Sequence, residues 1–459
     1  MTELFPFALA LFTGFLLVSV FDPSGEAGPV WAALLFRFSL GSVAGIGFSS
    51  TVYFVLLTIG LARPWVVLTV EIACAGTLAL FWMRHRGGHA VSRVRVVPGI
   101  LSGIFICGLL LEGTRLVQIS LANPAGEWDA SAIWNLRAKF LTDADNWRLV
   151  VSPLLATRPE YPLLISSFIA RGWKMAGDYP ALVPILTGLT FWAALPGLMV
   201  SALAMIRGTA AGMFGGLILL STAPLFFWAA AQYADIPLAC YFLATLALLF
   251  IDARTEPRHP WGLVWAGVCA GLAAGTKNEG EVFLLILTAA FLLQRPPWRR
   301  ARLLFAGMLP ALLPLVCLKL FLPAPSQLFA GQTVAGVLAK IGDPGRYHLI
   351  GKSLFDRVTE LGSGPGHPLI LMAFLTVLLS PQRDKRYRSA VWISSIAAAG
   401  MLLSYLAVYV ITPLDLPWHL LTSLDRVLIQ IWPCFVLLFC RLMPDDAVFD
   451  WRTNGPSRP

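Results

Sequence analysis

Apolar runs of roughly 20 residues recur along the sequence, and each ends at charged residues, glycine or proline. A helix needs about 20 apolar residues to cross the roughly 30 Å hydrocarbon core of a bilayer, so runs of this length predict membrane-spanning helices. We therefore expect an all-α integral membrane protein with about thirteen transmembrane helices, at 5–21, 39–61, 64–83, 98–118, 180–206, 210–230, 235–252, 261–276, 281–294, 303–322, 367–380, 389–411 and 425–443.

The composition excludes a soluble enzyme and a disordered chain. Of the 459 residues, 57% are hydrophobic and only 13% are charged, whereas about 25% are charged in an average soluble domain. A soluble protein of this size has too little polar surface to cover so many apolar side chains. The seven cysteines lie within apolar runs and form no CxxC pair, so neither disulfides nor a zinc site is expected.

Clusters of Lys and Arg set the expected orientation. The short connectors 84–95, 295–302 and 382–388 are rich in these residues, and short basic loops stay in the cytoplasm. With thirteen spans all three connectors fall on one side, which places the N-terminus outside and the C-terminus inside. The first run has no Lys or Arg before Arg37, so we expect a span there rather than a signal peptide. The net charge of +9 is thus an orientation signal and implies no nucleic-acid partner.

This orientation divides the chain into six regions with two long loops outside. The segment 161–175 has Trp173 and basic residues near its end, which predicts a helix lying in the membrane interface or, alternatively, a re-entrant or packing segment. The regions are four N-terminal spans at 1–118, a first outer loop with interfacial helices at 119–179, central spans at 180–322, a second outer loop at 323–366, C-terminal spans at 367–443 and a cytoplasmic tail at 444–459.

The first outer loop contains a candidate catalytic carboxylate. In GEWDASAIWNLRAKF, a helical pattern puts Asp129, Ile133 and Arg137 on one stripe. Asp129 is either the N-cap of that helix or a carboxylate at the membrane surface that acts as a general base. Glu127 precedes it by two residues, and the choice between these two carboxylates stays open.

Two further polar segments are expected on the same side. Asp235 opens a span in QYADIPLA, where it either caps the helix or supplies a second carboxylate that could share a divalent cation with Asp129. In GTKNEGE, turn chemistry explains the glycines and Asn278 but not Lys277. An anionic partner such as a phosphate would account for this lysine.

The last predicted span begins with a charge. Arg426 follows WHLLTSLD and precedes a run that is free of charge until Arg441. Its side chain either snorkels to the membrane surface or binds a lipid phosphate with its guanidinium fork. His419 and Trp418 lie earlier in this segment and could contact a sugar or the phosphate.

Together these segments resemble the polytopic glycosyltransferases of the C-type fold, which use a polyprenyl-phosphate sugar donor. That superfamily includes the protein mannosyltransferases and the lipid A aminoarabinose transferases. The resemblance covers most of the chain, and its order and common side are more specific than any one motif. It is carried by EWDASAIWNLRAKF, RPEYPLL, QYADIPLA, GTKNEGE and WHLLTSLDR.

The resemblance implies a role for each polar segment. Asp129 would be the catalytic base and Asp235 a second catalytic carboxylate, which in some members contacts metal, so a divalent cation is a possible cofactor. Lys277 and Arg426 match the basic residues that bind the carrier phosphate. Further substrate contacts are expected from Glu127, Trp134, Lys139, Glu160, Tyr161, Glu279 and His419. The chain departs from the family pattern because its first long loop follows the fourth span rather than the first.

The expected activity is transfer of a sugar, with inversion, from a polyprenyl-phosphate carrier to a lipid-linked, glycan or protein acceptor. The enzyme would lie in the inner (plasma) membrane with its active site on the periplasmic side. One alternative is an O-antigen ligase or polymerase, for which Arg346, His348 and Arg357 of the second outer loop would matter more than Asp129. The other is a transporter, which would place polar groups near the bilayer midplane.

Overall fold

The computed structural model describes residues 3–25, 28–85, 99–154, 157–255, 259–359, 361, 372 and 384–443. Within these ranges the chain is helical and contains no strand, as the sequence predicts. Most of the basic connector 84–95, all but one residue of the predicted span 367–380 and all of the tail 444–459 lie outside the described residues.

Seventeen α-helices are numbered here along the described residues. A π-helical turn, Ala130–Trp134, precedes the fifth, and 3-10 turns lie at Trp147–Val151 and Lys385–Tyr387. The helices are α1 Leu4–Val20, α2 Val30–Thr58, α3 Pro64–His85, α4 Ile100–Ala122, α5 Asn135–Thr142, α6 Leu164–Ala176, α7 Leu182–Ile206, α8 Thr209–Leu220, α9 Ala223–Ala230, α10 Asp235–Arg254, α11 Trp261–Thr276, α12 Asn278–Leu293, α13 Trp298–Phe321, α14 Val334–Ile341, α15 Pro344–Thr359, α16 Arg388–Ile411 and α17 Leu416–Leu442.

Eight of these helices are long and apolar enough to cross a membrane, namely α2, α3, α4, α7, α10, α13, α16 and α17. The pair α8 and α9 bends by 63° at a short break and adds a ninth if it forms one broken span. The apolar helices α1 and α11 have 17 and 16 residues and are shorter than the eight candidate spans. The protein is therefore a multi-pass membrane protein, and the predicted number of thirteen spans is not established.

Helix α10 forms the centre of the bundle. Its most apolar stretch is completely buried, and it packs against α7, α11 and α17. Close approach of backbones holds other pairs together. A Cβ atom on Gly307 of α13 would lie 1.9 Å from the carbonyl oxygen of Val264 in α11, so only glycine fits there. Small residues at helix crossings are the usual means of packing helices in lipid.

One end of the bundle, called here the basic end, carries arginines that bind helix termini. Arg254 donates to the carbonyl of Ile206 at 2.8 Å, and Arg207 donates to the carbonyls of Cys440 at 3.2 Å and Arg441 at 2.9 Å. These bonds satisfy carbonyls that a helix C-terminus leaves unpaired. Arg300 forms an ion pair with Asp252. Arg207, Arg254 and Arg300, which the sequence places in the cytoplasm, thus share one end of the fold.

The segment 161–175 does not have the predicted position on the membrane surface. Most of it forms α6, whose residues from Leu164 to Trp173 are all buried inside the protein. Arg171 forms a buried ion pair with Glu71 of α3 and donates to the carbonyl of Pro6 at 2.9 Å. The alternative of a packing segment is the correct one, because both faces of the helix meet other helices.

Candidate functional site

Four charged residues from distant parts of the sequence meet at the end of the bundle opposite the basic end. Arg426 Nη2 lies 2.6 Å from Asp129 Oδ2 and 3.1 Å from Asp235 Oδ2. Lys277 Nζ lies 2.9 Å from Asp235 Oδ1. These four residues, called here the charge cluster, come from the first long loop, the start of α10, the α11–α12 turn and α17.

Asp235 lies at the centre of the charge cluster and is completely buried. Its Oδ2 accepts hydrogen bonds from Nε and Nη2 of Arg426 at 3.2 and 3.1 Å. Its Oδ1 accepts from Lys277 Nζ and from the side-chain amide of Gln430, and Gln430 in turn accepts from Tyr405 at 2.5 Å. With both oxygens occupied, this carboxylate positions the two cations. Its predicted catalytic role stays a prediction.

Asp129 is positioned by contacts between two loops. Gly126 has φ +68°, and a Cβ there would lie 2.7 Å from the carbonyl oxygen of Ala231. The backbone N–H of Glu127 donates to that same carbonyl at 3.2 Å, and the N–H of Asp129 donates to the hydroxyl of Tyr233 at 3.1 Å. The Asp129 carboxylate makes no capping bond to the following turn, so the N-cap alternative does not hold. Within the described residues its Oδ1 has no hydrogen-bond donor.

Arg426 is held between acidic and aromatic side chains. Its guanidinium carbon lies 4.5 Å from the ring centre of Tyr233 and 5.5 Å from that of Trp228, distances at which cation–π attraction contributes. Trp228 is itself fixed by a 3.1 Å hydrogen bond to Asp425. Nε and Nη2 of Arg426 bind the two aspartates, while Nη1 meets no acceptor among the described residues. One donor edge of the guanidinium is therefore available to a ligand.

Lys277 is enclosed rather than available. Its side chain is 3% exposed, and its Nζ lies 2.9 Å from both Asp235 Oδ1 and Glu279 Oε1. Burial alone would lower the pKa of Lys277, but the two carboxylates outweigh burial and raise it above its usual range. The lysine is thus a fixed positive charge beneath the site, and it is less accessible to a phosphate than the sequence predicts.

The segment 157–162 forms one wall of the site. Arg137, fully buried in α5, donates to the carbonyl of Tyr161 at 2.7 Å and to those of Pro159 and Pro162 at 3.4 Å. The Tyr161 ring stacks on buried Trp134 at 5.7 Å, and burial raises the pKa of its hydroxyl, with the charge of Glu279 adding to the shift. Arg137 therefore fixes the backbone of the wall segment 157–162.

Two charged side chains on this wall have unused polar atoms. Glu160 is buried, and its Oε2 has no hydrogen-bond partner. Arg158 is 27% exposed and lies 3.9 Å from Glu160 Oε1, which is too long for a hydrogen bond. Its guanidinium lies 5.9 Å from the ring centre of Tyr161, while Lys277 Nζ lies 5.8 Å from that ring. Arg158 thus adds a cation with free donors beside the charge cluster.

A mainly apolar crevice begins next to this wall. It runs between α2, the start of α6, the end of α11 and α13, and its lining includes Phe54, Pro162, Leu164, Gly275, Leu315 and Leu318. Pro162 follows Tyr161 directly, and Gly275 precedes Lys277 by two residues. Two residues of the crevice lining are therefore close in the sequence to residues of the site.

Three predicted site residues have their contacts outside the charge cluster, although the charge of Arg426 reaches His419. Glu127 is exposed, and its carboxylate accepts from Asn123 at 3.2 Å. Lys139 is exposed, with its ammonium 5.5 Å from the ring centre of Tyr179. His419 is half-buried against Tyr409, with 4.9 Å between ring centres. Of the two acidic residues in the first loop, Asp129 is the one that meets the cluster.

Sequence reasoning missed several residues that organise the site. Gln430 and Arg426 are one helical turn apart, so a polar residue four positions after Arg426 was the available signal. Trp228 and Tyr233 flank the loop before Asp235, where aromatic residues read as membrane-interface anchors. Arg158 lies in the RPEYPLL motif, where nothing in the surrounding sequence distinguishes it from an ordinary charged residue of a loop.

A divalent cation shared by Asp129 and Asp235 does not fit this arrangement. Arg426 bridges the two carboxylates, and both oxygens of Asp235 already accept from Arg426, Lys277 and Gln430. Among the described residues there is also no group of three or more His, Cys, Asp or Glu side chains that could hold a metal ion.

Comparison with known proteins adds no relative to this description. No protein-family model matches the chain, and no curated protein or solved structure is significantly similar to it.

Proposed function

We propose that the protein is a membrane glycosyltransferase that moves a sugar from a polyprenyl-phosphate carrier to an acceptor hydroxyl. One observation carries the proposal: Asp129 has a free carboxylate oxygen and is paired with Arg426, whose Nη1 is also free. A base for the acceptor and a cation for the leaving phosphate are therefore within one ion pair. The cluster lies at the end of the bundle opposite the basic end, which in our proposal is the periplasmic side of the inner membrane.

The proposed reaction needs one proton transfer and one displacement. Asp129 Oδ1 accepts the proton of the acceptor hydroxyl while the hydroxyl oxygen attacks the anomeric carbon. The bond from that carbon to the phosphate oxygen breaks with inversion, and its electron pair leaves with the carrier phosphate. Proton transfer by a positioned side chain typically contributes about 10²–10⁴-fold to a rate. No oxidant or further reactant is needed.

The leaving phosphate gains negative charge, and the cations of the site are placed to offset it. Arg426 Nη1 is the available donor, and Arg158 adds free donors from the wall segment. Asp235 and Gln430 hold Arg426 in place, so its charge requires no rearrangement during the reaction. Preorganised charge of this kind is the most effective form of electrostatic catalysis. Lys277 acts through Asp235 rather than by direct contact.

The apolar crevice favours a lipid-linked donor over a soluble one. It is lined by Phe54, Leu164, Leu315 and Leu318 and includes Pro162, the neighbour of Tyr161 in the sequence, so we place the isoprenoid chain there and the carrier phosphate at the charge cluster. A soluble sugar nucleotide would gain nothing from apolar side chains next to the site. The transfer assay determines whether the acceptor is a lipid, a glycan or a protein.

The two alternatives have less support in the geometry. A ligase or polymerase would use Arg346, but its Nε and Nη2 donate to the carbonyls of Val410 and Tyr409 at 2.9 Å. A transporter would need available charged groups deep in its spans, whereas Asp235 is the first residue of α10 and Lys277 lies in the turn between α11 and α12. Glu71 is buried in the candidate span α3, but both of its carboxylate oxygens accept hydrogen bonds from Arg171.

The test is transfer of radiolabelled sugar from a panel of polyprenyl-phosphate sugars by purified protein in lipid nanodiscs with an envelope lipid extract. Asp129→Asn keeps the shape of the side chain but removes the base, so activity should fall by about 10²-fold or more. Glu127→Gln should keep most activity, and Asp356→Asn in exposed α15 serves as a matched control. Wild-type transfer with none of the donors, or full activity in Asp129→Asn, would overturn the proposal.

A further inference from the structure

The short helix α14 presents an apolar stripe that no other part of the described structure covers. None of its eight residues is buried. Val334, Leu338 and Ile341 are 79%, 62% and 45% exposed. Their spacing of i, i+4 and i+7 puts them on one side of the helix. A lone exposed apolar residue needs no explanation, but a continuous stripe marks an interaction surface.

The opposite side of α14 is fixed to the end of α16. Lys340 Nζ donates to the carbonyl of Thr412 at 2.9 Å and to Gln332 Oε1 at 2.6 Å. The amide of Gln332 donates to the carbonyl of Ile411 at 3.0 Å. Just beyond α14, Arg346 donates to the carbonyls of Tyr409 and Val410. These bonds satisfy the C-terminal carbonyls of α16 and determine which side of α14 faces outward.

The preceding span, α13, also has an exposed apolar side. In α13, the exposed residues Leu309, Leu313, Val316 and Leu320 are 70%, 51%, 47% and 70% exposed and lie on one side of the helix. Because α13 is a candidate span, this side faces the hydrocarbon of the bilayer. The segment 322–333 then leads directly to α14. Twelve residues thus separate α14 from the end of a candidate span with a lipid-facing side.

Helix lengths give the depth of α14. The 16 residues of α11 rise about 24 Å, less than the roughly 30 Å hydrocarbon core, so Lys277 lies close to its outer boundary. Leu416 starts α17 ten residues before Arg426, which is about 15 Å farther out along that helix. Helix α14 binds Thr412, next to that start. It therefore lies just outside the hydrocarbon core, at the depth of the lipid headgroups.

We propose that the apolar stripe of α14 rests on the outer surface of the lipid bilayer and holds the second outer loop against it. This inference is independent of the proposed enzymatic activity. The helix is amphipathic, as helices that lie in the membrane interface are. Its nearest cations, Lys340 and Arg346, are already bound to carbonyls, so we expect apolar burial rather than attraction to anionic headgroups to hold it.

The test uses a nitroxide label attached through p-acetylphenylalanine in place of Leu338, which leaves the native cysteines untouched. The full chain is reconstituted in phosphatidylcholine nanodiscs, and power-saturation EPR compares the label's collision rates with O2 and with a water-soluble nickel chelate. We expect O2 to be the stronger relaxant at Leu338 and the nickel chelate at the matched control, Asp356 in α15. Adding phosphatidylglycerol should not change the result. A second label at Val334 covers the case in which the Leu338 variant is unstable.

Three outcomes would overturn the proposal. Stronger relaxation by the nickel chelate at both Val334 and Leu338 would mean that the stripe faces water. Dipolar broadening at Leu338 that disappears when labelled protein is diluted with unlabelled protein would mean that a second copy of the chain covers it. A strict requirement for anionic lipid would likewise replace apolar burial with electrostatic binding.

Discussion

The two ends of the bundle both concentrate charge, yet they use it differently. At the basic end, Arg207 and Arg254 donate to helix C-terminal carbonyls, and Arg37 pairs with Asp22. At the charge cluster, two aspartates and two cations converge from four segments and leave Asp129 Oδ1 and Arg426 Nη1 without partners among the described residues. Charge that completes helix ends supports the fold and the orientation. Charge that converges with unused donors and acceptors is the arrangement that a ligand requires.

The largest expected effect comes from removing the carboxylate at the centre of the cluster. Asp235→Asn leaves Arg426 and Lys277 buried with one counter-charge fewer, and breaking a buried ion pair typically costs about 3–5 kcal/mol. The matched change at the basic end is Asp22→Asn, whose pair with Arg37 is partly exposed and should cost about 1 kcal/mol or less.

Thermal unfolding of both variants in the same detergent, together with their purified yields, measures this difference. Asp235→Asn should unfold at a clearly lower temperature than the wild type, while Asp22→Asn should remain close to it. If the two variants lost equal stability, the distinction between a buried hub and a surface pair would be wrong.

The next effect is a split between activity and stability at two arginines. Arg426→Lys retains one positive charge but cannot bridge Asp129 and Asp235 and also present a free donor. We expect sugar transfer to fall by about 10²-fold, the size seen when one preorganised charge donor is removed, with little loss of folded protein. Arg207→Lys at the basic end should show the reverse, with transfer within about twofold of the wild type and a lower unfolding temperature, because bonds to helix carbonyls are lost.

Initial rates of transfer and unfolding temperatures from the same preparations test this split. Equal losses of activity in the two variants would show that Arg426 acts only through the fold.

The sequence was sufficient to predict the membrane class and the residues that meet in the charge cluster, whereas the predicted orientation across the membrane stays a prediction. Both can be recognised from the order of residues alone. Apolar runs of fixed length predict spans, and a charged residue at the end of such a run is easily recognised. Asp129, Asp235, Lys277 and Arg426 could be identified from this scarcity of charge. Their contacts could not be predicted, because pairing between α10, α11 and α17 depends on helix rotation, which spacing alone does not set.

Other features were not accessible to sequence reasoning for the same physical reason. The burial of α6 depends on Arg171 meeting Glu71 across about 100 residues, and an amphipathic segment alone reads equally well as a membrane-surface helix. The sequence predicts that Lys277 is accessible to a phosphate. The turn between α11 and α12, however, brings Glu279 Oε1 to 2.9 Å from the Lys277 Nζ atom. The number of spans is set by helices such as α11 and α12, whose 16 residues lie at the limit of what can cross a bilayer.

The smallest effect should come from the polar chain behind the cluster. Gln430 donates to Asp235 and accepts from Tyr405 at 2.5 Å, with both residues buried. Gln430→Leu removes one of four donors to Asp235 and strands the Tyr405 hydroxyl, which should cost about 1–3 kcal/mol. Adding Tyr405→Phe removes the stranded hydroxyl and should recover part of that loss, although Tyr405→Phe alone is destabilising.

A double-mutant cycle of unfolding midpoints measures the coupling. At the basic end, Arg254→Leu with Tyr405→Phe should instead be additive. Strict additivity for the Gln430 and Tyr405 pair would show that the cluster is held by its charges alone.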